Sequence, residues 1–296
     1  MRILNFGSLN VDHVYRVPHI ARPGQTIAAA SVQTFAGGKG ANQSVALARA
    51  GATVSHAGRI GRDGHWLLDK LKHAGVDTTL VQVDDKRRTG HAIIQVDDKG
   101  ENTIVLFGGA NRSIDGGQID RAVRQFGSGD MLLLQNEVNR VPDVIEAGHA
   151  RGMTVCFNPA PADDQVKHYP LEHLDVMILN QSEGQTLCGA SAPDDVLTTL
   201  SDRYPQAQII LTLGKDGVRY AAGDKRLSVA ATPAKTVDTT AAGDTFIGYY
   251  LAGRAAGSDV PDALQTACRA AALCVSSPGA MDSIPTHHEL ATTNRH

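Results

Sequence analysis

Aromatic side chains make up only 4% of these 296 residues, with a single tryptophan, and no extended block of Lys and Arg occurs. Few aromatics leave little with which to stack a nucleobase, and a net charge of -3 lacks the basic footprint of a nucleic-acid or anionic-membrane binder. No apolar run approaches the roughly 20 residues of a membrane span. The opening, MRILNFGSLN, reads as a short strand carrying polar residues and not as a secretory signal. Four cysteines (Cys156, Cys188, Cys268, Cys274) are irregularly spaced in apolar or helical surroundings, so reduced thiols in a cytoplasmic protein are expected. The twelve histidines form no HxxxH or His/Cys cluster, and a structural zinc is not expected.

Of these residues, 42% are hydrophobic and 20% charged, enough apolar content to bury a sizeable core. Short apolar runs (Ile3–Phe6, Met131–Gln135, Met153–Phe157, Val176–Leu179, Ile209–Leu213) alternate with amphipathic stretches (Asn42–Ala50, Trp66–Ala74, Ile119–Phe126, Val141–Arg151). That rhythm predicts a mostly parallel sheet with helices on both faces, and ligands beyond the carboxyl ends of its strands. An Ala-rich helix is expected over Pro261–Ser276. Two regions, about 11–35 and 88–107, alternate like strands with no helix between them, which predicts a small separate sheet lying as a lid over the strand ends. The expectation is one domain over 1–296.

Three segments carry chemistry. Residues 238–248 read DTTAAGDTFIG. The small residues Ala241, Ala242 and Gly243 let a ligand approach the backbone, and the amides opening the following helix favour an anion. A carboxylate at such a place, Asp244, is electrostatically unwelcome unless it takes a proton from a hydroxyl that attacks a phosphate. Read alone, the segment is equally a helix start capped by Asp244. Gly37-Gly-Lys-Gly-Ala-Asn-Gln is neither a P-loop nor a GxGxxG fingerprint, but its glycines admit a small ligand beside Lys39 and Asn42. Asn10 and Asp12, two apart after the first strand, face one side of an extended chain and pair an amide with a carboxylate as sugar hydroxyls require, though a polar turn has the same look.

Together these segments resemble the ribokinase-like (PfkB) carbohydrate kinases, from the first strand to about Pro285. The resemblance rests on GSLNVD (7–12), AGGKGANQ (36–43), GGAN (108–111), NPAPA (158–162), NQSE (180–183), TLGKDG (212–217), DTTAAGDTF (238–246) and PGAMDSIP (278–285), in family order. It implies a three-layer α/β/α core with a small β-sheet lid and an ATP-dependent sugar kinase, D-ribose phosphorylated at its 5-hydroxyl being the best single substrate. Asp244 is then the base, and the amides of Ala241, Ala242, Gly243 and Asp244 form the anion hole. Asn10, Asp12, Gly38, Lys39, Asn42 and Glu137 match pentose contacts. Asn180, Thr212, Gly214, Gly217 and Gly243 match nucleotide contacts, and Glu183 matches a position tied to Mg2+. A K+ site is implied at Asp238 and Ser283 through side chains, with carbonyls of Thr240, Cys274, Ser277 and Gly279. The resemblance further implies a homodimer through the lid sheet. Alternatives are a nucleoside or other pentose or hexose kinase, or a sugar-binding regulator without catalysis. The chain departs from the family pattern at Gln181, Tyr249, Cys268 and the Gln135-Asn136 pair.

Overall fold

The computed structural model describes residues 1–292, so the last four residues of the expected 1–296 domain lie outside the described residues. In chain order the elements are β1 (Arg2–Phe6), β2 (Asn10–Arg16), β3 (Ser31–Gly37), α1 (Lys39–Arg49), β4 (Thr53–Gly61), α2 (His65–His73), β5 (Asp77–Asp84), β6 (Gly90–Val96), β7 (Asn102–Phe107), α3 (Gly116–Val123) and β8 (Met131–Gln135). The chain continues through α4 (Val141–Ala150), β9 (Thr154–Asn158), β10 (Val176–Asn180), α5 (Gln181–Cys188), α6 (Pro193–Arg203), β11 (Gln208–Thr212), β12 (Val218–Ala222), β13 (Lys225–Val229), α7 (Ala242–Ala255), α8 (Val260–Val275) and α9 (His287–Thr292).

Nine strands form one sheet in the order β13-β12-β11-β10-β9-β8-β1-β4-β5. It is parallel from β11 to β5, and only the β12 and β13 pairings are antiparallel. The central strands are apolar on both faces because both faces are covered. Successive residues alternate between two cores, as side chains in a strand must. Ile3, Leu133, Ile178 and Ile210 pack with α1, α7 and α8. Leu4, Leu134, Leu179 and Leu211 pack with α3, α4, α5 and α6. Each fully buried Leu or Ile contributes roughly 1.5–3 kcal/mol through loss of water contact. The layering is the expected three-layer α/β/α arrangement.

The second sheet, β3-β2-β6-β7, comes from the two helix-free regions. β2 pairs antiparallel with β3 and parallel with β6, and Asn10 starts both ladders opposite Gly37 and Gly90. This register pins the lid strands to the glycine loop that precedes α1. The helix expected from Asn42 begins three residues earlier, at Lys39, because Gly38 makes the turn at φ 93 and frees the next residue to enter the helix. α1 could not sit so close to the first strand with larger residues. A Cβ on Gly40 would lie 2.6 Å from the carbonyl carbon of Gly7.

α1 and α7 are pressed together at Gly248, where a Cβ would lie 2.8 Å from backbone atoms of Ala46 and Leu47. These two helices carry the residues of the cleft described below, so their spacing sets its geometry. Gly248→Val should destabilise the protein by about 3 kcal/mol or more in urea unfolding, since backbone cannot yield as a side chain end does. A loss below about 1 kcal/mol would show that the helices can separate without strain.

Candidate active site

Between the carboxyl ends of the parallel strands and the lid lies a cleft of about 550 Å³. Residues expected from the three segments (Asn10, Asp12, Gly38, Lys39, Asn42, Ala241, Gly243, Asp244) and those that the family resemblance alone implies (Glu137, Asn180, Glu183, Thr212, Gly214, Thr240) all line it. Gly217 does not. It turns the chain at φ 91 with its Cα packed on the Val229–Ala231 backbone. Ala242 also lies outside the lining.

Asp244 is buried but reaches the cleft wall. It does not cap its helix. The cap is Ala241, held in the left-handed region at φ 61, and Asp244 is the third residue of α7. Its carboxylate is gripped instead by two amides from α1: Asn42 Nδ2 donates to Oδ2 at 3.0 Å and Gln43 Nε2 to Oδ1 at 2.9 Å. The first helical bond of α7 runs from Thr245 N to Ala241 O. The Gly243 and Asp244 amides therefore have no helical carbonyl within reach. The Ala242 amide makes a long bond to Thr239 O at 3.3 Å. A Cβ on Gly243 would meet nothing within 4 Å, so there is open space beside this residue at the cleft wall. A helix dipole, exposed amides and open space suit an incoming anion.

At the other end of the cleft, Glu137 Oε2 accepts from Ser8 Oγ at 2.5 Å and from the Lys39 amide at 2.9 Å. Asn10 Oδ1 accepts from Asn111 Nδ2 at 2.8 Å, which orients the Asn10 amide with its N–H groups free to face a ligand. Gly37 leaves room for the Asp12 carboxylate, and Asn42 Oδ1 is buried without a partner. Donors, acceptors and an unmet acceptor in one pocket are what a polyhydroxylated ligand fits. Lys39 stands among these acids. Burial alone would lower its pKa, but Asp244, Glu137, Glu183 and Asp12 together hold it above the ordinary lysine value. Burial pushes Glu183 up, against the amides of Asn180 and the charge of Lys39. Asn180 and Glu183 form a capping box at the start of α5 while facing the cleft.

The six residues expected to bind a monovalent cation also meet. Asp238 accepts from Thr240 N and Oγ1 at 2.9 and 2.6 Å and from Gly279 N at 3.1 Å. Ser283 Oγ donates to Gly279 O at 2.7 Å, Cys274 Sγ lies 3.2 Å from Ser283 Oγ and 3.7 Å from Thr240 O, and Ser277 N bonds Cys274 O. Burial would raise the Asp238 carboxyl, but the Thr240 and Gly279 donors hold it below the usual range and so ionised. Among the described residues no group of three or more His, Cys, Asp or Glu is placed to hold a metal, and no helix is long and apolar enough to cross a membrane.

Several contributors were not singled out from sequence. The lid supplies Ala92, Ile94, Ile104 and Leu106, alternate residues of β6 and β7, as an apolar roof. Gln43 and Asn158 are visible in the sequence only as letters of quoted motifs, and Gln135 only as a strand end and part of a departure from the family pattern, none with a role. Two departures from the family pattern find structural work: Tyr249 donates to Pro285 O at 2.7 Å, tying α7 to the segment beyond the cation loop, and Asn136 Nδ2 donates to Pro161 O at 2.8 Å. Gln181 caps nothing in the cleft and donates to Ser191 O.

The Asp12 carboxyl is pushed up to about 7, first by desolvation and then by Glu137, with Lys39 opposing. A carboxyl raised above its unfolded value of 3.8 contributes stability that is complete below that value and lost as pH climbs through about 7. Asp12→Asn cannot ionise. Between about pH 4 and about pH 8 its stability should therefore gain about 1–3 kcal/mol on that of the parent, read by urea unfolding. A difference that stays flat with pH would show that Asp12 is not desolvated.

The sequence matches the profile described as "pfkB family carbohydrate kinase" over residues 2–287. It is 36% identical over 288 residues to a ribokinase of Bacillus subtilis, covering 96% of each chain. The fold superposes on ribokinase from Cryptococcus neoformans in complex with ADP with a TM-score of 0.86, at 35% identity and 99% coverage of both chains. Arabidopsis thaliana ribokinase complexed with ribose and ATP gives a TM-score of 0.88 at 27% identity, covering all of this chain and 99% of that one. With the profile matched over residues 2–287 and a relative 36% identical over 96% of each chain, the chain belongs to the pfkB family of carbohydrate kinases.

Proposed function

We propose that this protein transfers the γ-phosphoryl group of ATP to the 5-hydroxyl of D-ribose. The observation that carries the reading is the Asp244 carboxylate, fixed by Asn42 and Gln43 at the cleft wall, three residues into a helix whose first amides are open. The Asp244 carboxylate accepts the hydroxyl proton as that oxygen attacks phosphorus. The amides of Ala241, Gly243 and Asp244, with a lesser part for Ala242, stabilise the charge on the moving phosphoryl group. Such transfer asks little covalent chemistry of the protein, so alignment and charge neutralisation supply most of the rate. Asn10, Asp12, Gly38, Lys39, Asn42 and Glu137 hold the sugar. Asn180, Thr212 and Gly214 contact the nucleotide, and Gly217 shapes that loop without touching the cleft.

Glu183, which lines the cleft, would hold through water a divalent ion brought in by the nucleotide, and Mg2+ there would neutralise phosphate charge. The oxygen-rich group at Asp238, Thr240, Cys274, Ser277, Gly279 and Ser283 fits K+, which would shape the Ala241–Asp244 loop. The lid is apolar on both faces: Ile104 and Leu106 roof the cleft, while Val105 and Phe107 point the other way and are 61% and 53% exposed. A second copy of the lid would cover that outer face, so we read the protein as one domain, with its lid drawn from about 11–35 and 88–107, that works as a homodimer. Free thiols, three of them buried, and the use of ATP support a cytoplasmic location.

Asp244→Asn should lower turnover at least about a hundredfold while ribose binding persists, as removal of a general base does. A coupled ADP assay across ribose, 2-deoxyribose, fructose, adenosine and pseudouridine should favour ribose, and the absence of that preference would refute the substrate while leaving the kinase. In sodium-free buffer, K+ should give faster turnover than a bulky organic cation, and equal rates would refute the cation site.

A further inference from the structure

Behind the cleft runs a file of buried side-chain amides that the proposed reaction does not itself use. Gln43, Gln135 and Asn5 are fully buried and do not line the cleft. Gln43 Nε2 donates to Asp244 Oδ1 at 2.9 Å and to Asn158 Oδ1 at 3.1 Å. Gln43 Oε1 accepts from Gln135 Nε2 at 2.7 Å, and the same Gln135 nitrogen donates to Asn5 Oδ1 at 2.9 Å. Asn5 Nδ2 donates to Gly40 O and Ser44 Oγ, both at 2.8 Å, and Ser44 Oγ meets His56 Nδ1 at 2.8 Å. Asn158 Nδ2 donates to Ile178 O at 2.9 Å.

The direction of the amide–amide bonds is fixed by three groups that can only accept: the Gly40 and Ile178 carbonyls at the far ends and the Asp244 carboxylate at the near one. Turning the Gln43 amide over would set its oxygen against the Asp244 carboxylate and the Asn158 oxygen, and its nitrogen against the Gln135 nitrogen. Gln135 in turn cannot flip without facing two oxygens. Gly7 admits the Gln135 amide, whose oxygen would collide with any Cβ there. Packing alone does not call for this arrangement, since apolar side chains of the same length would fill the space without desolvating eight polar atoms. What the amides provide and alkyl chains cannot is a single orientation of one N–H donor at a charged oxygen, Asp244 Oδ1.

We propose that Gln43, locked by Gln135 and Asn5, is a positioning residue for phosphoryl transfer that holds the Asp244 carboxylate in its cleft-facing rotamer. Asn42 grips the other oxygen but also faces the ligand, so Gln43 is the donor whose bond to Asp244 survives whatever the sugar does to Asn42. The inference rests on Asp244 being the base.

Its test is a mutant cycle on the full-length protein with ribose and ATP. Gln43→Met should lower kcat about tenfold to a hundredfold, the scale of a hydrogen bond to a charged group, with the ribose KM within about threefold of the parent. Gln135→Met, one bond further back, should lower kcat by a smaller factor, about threefold to tenfold. In an Asp244→Asn background Gln43→Met should cost no further turnover, because residues acting as a unit are not additive. Should Gln43→Met fail to fold, Gln43→Glu, which keeps the shape but sets an acid against Asp244, and Gln135→Met decide the matter by the same criteria. Equal losses in both backgrounds, a loss carried by KM, or parental kcat in Gln43→Met and Gln135→Met would overturn the inference. If Asp244→Asn itself keeps full turnover, it is the base assignment that fails.

Discussion

The contact on which the rest of this structure depends is the one between the N-terminal turns of α1 and α7, where two side-chain amides hold one carboxylate. Everything nearby serves that approach. Gly38 turns the chain so that α1 begins early, Gly40 and Gly7 let it lie against the first strand, and Gly248 lets α7 come within backbone distance of α1. Larger residues at these places would move the Asn42 and Gln43 amides away from Asp244, and the carboxylate would face an open anion site without support.

Charge within the cleft is balanced by position and not by number. Asp12, Glu137, Glu183 and Asp244 surround a single lysine, and their fields hold Lys39 protonated despite its burial. The acids are not equivalent. Glu137 is tied to Ser8 and the α1 backbone, Glu183 to Asn180, and Asp244 to α1 amides, while at Asp12 desolvation and the neighbouring Glu137 outweigh Lys39 and raise it to about 7. A pocket with one readily protonated acid and several fixed ones can bind a neutral, hydroxyl-rich molecule at one end and leave the helix N-terminus to the anion.

Much of this was legible in the chain because parallel strands covered on both faces must be mostly apolar, and β1, β8, β9, β10 and β11 are, apart from Asn5 within β1 and polar residues at the strand ends. The lid strands β6 and β7 showed as alternation on either side of the Asp98-Lys-Gly turn. The strands that escaped notice, β4, β5, β12 and β13, have polar or glycine-broken sequences: β5 reads DTTLVQVD, and β4 reads TVSHAGRIG, its histidine bonded to a serine and its arginine to Gln118 and Asp115. Asp244, Asn10 and Lys39 could be found because their residue types are out of place in their local setting. Gln43, Gln135 and Asn5 could not, since a buried amide declares itself only through partners here 35 to 201 residues away in sequence.

The account is tested most directly by a structure of the protein holding ribose and a non-hydrolysable ATP analogue. It predicts the Asp244 carboxylate within about 3 Å of the 5-hydroxyl, and the terminal phosphate against the Gly243 and Asp244 amides. A sugar whose 5-hydroxyl faces away from Asp244, or a phosphate bound elsewhere than at the start of α7, would contradict it.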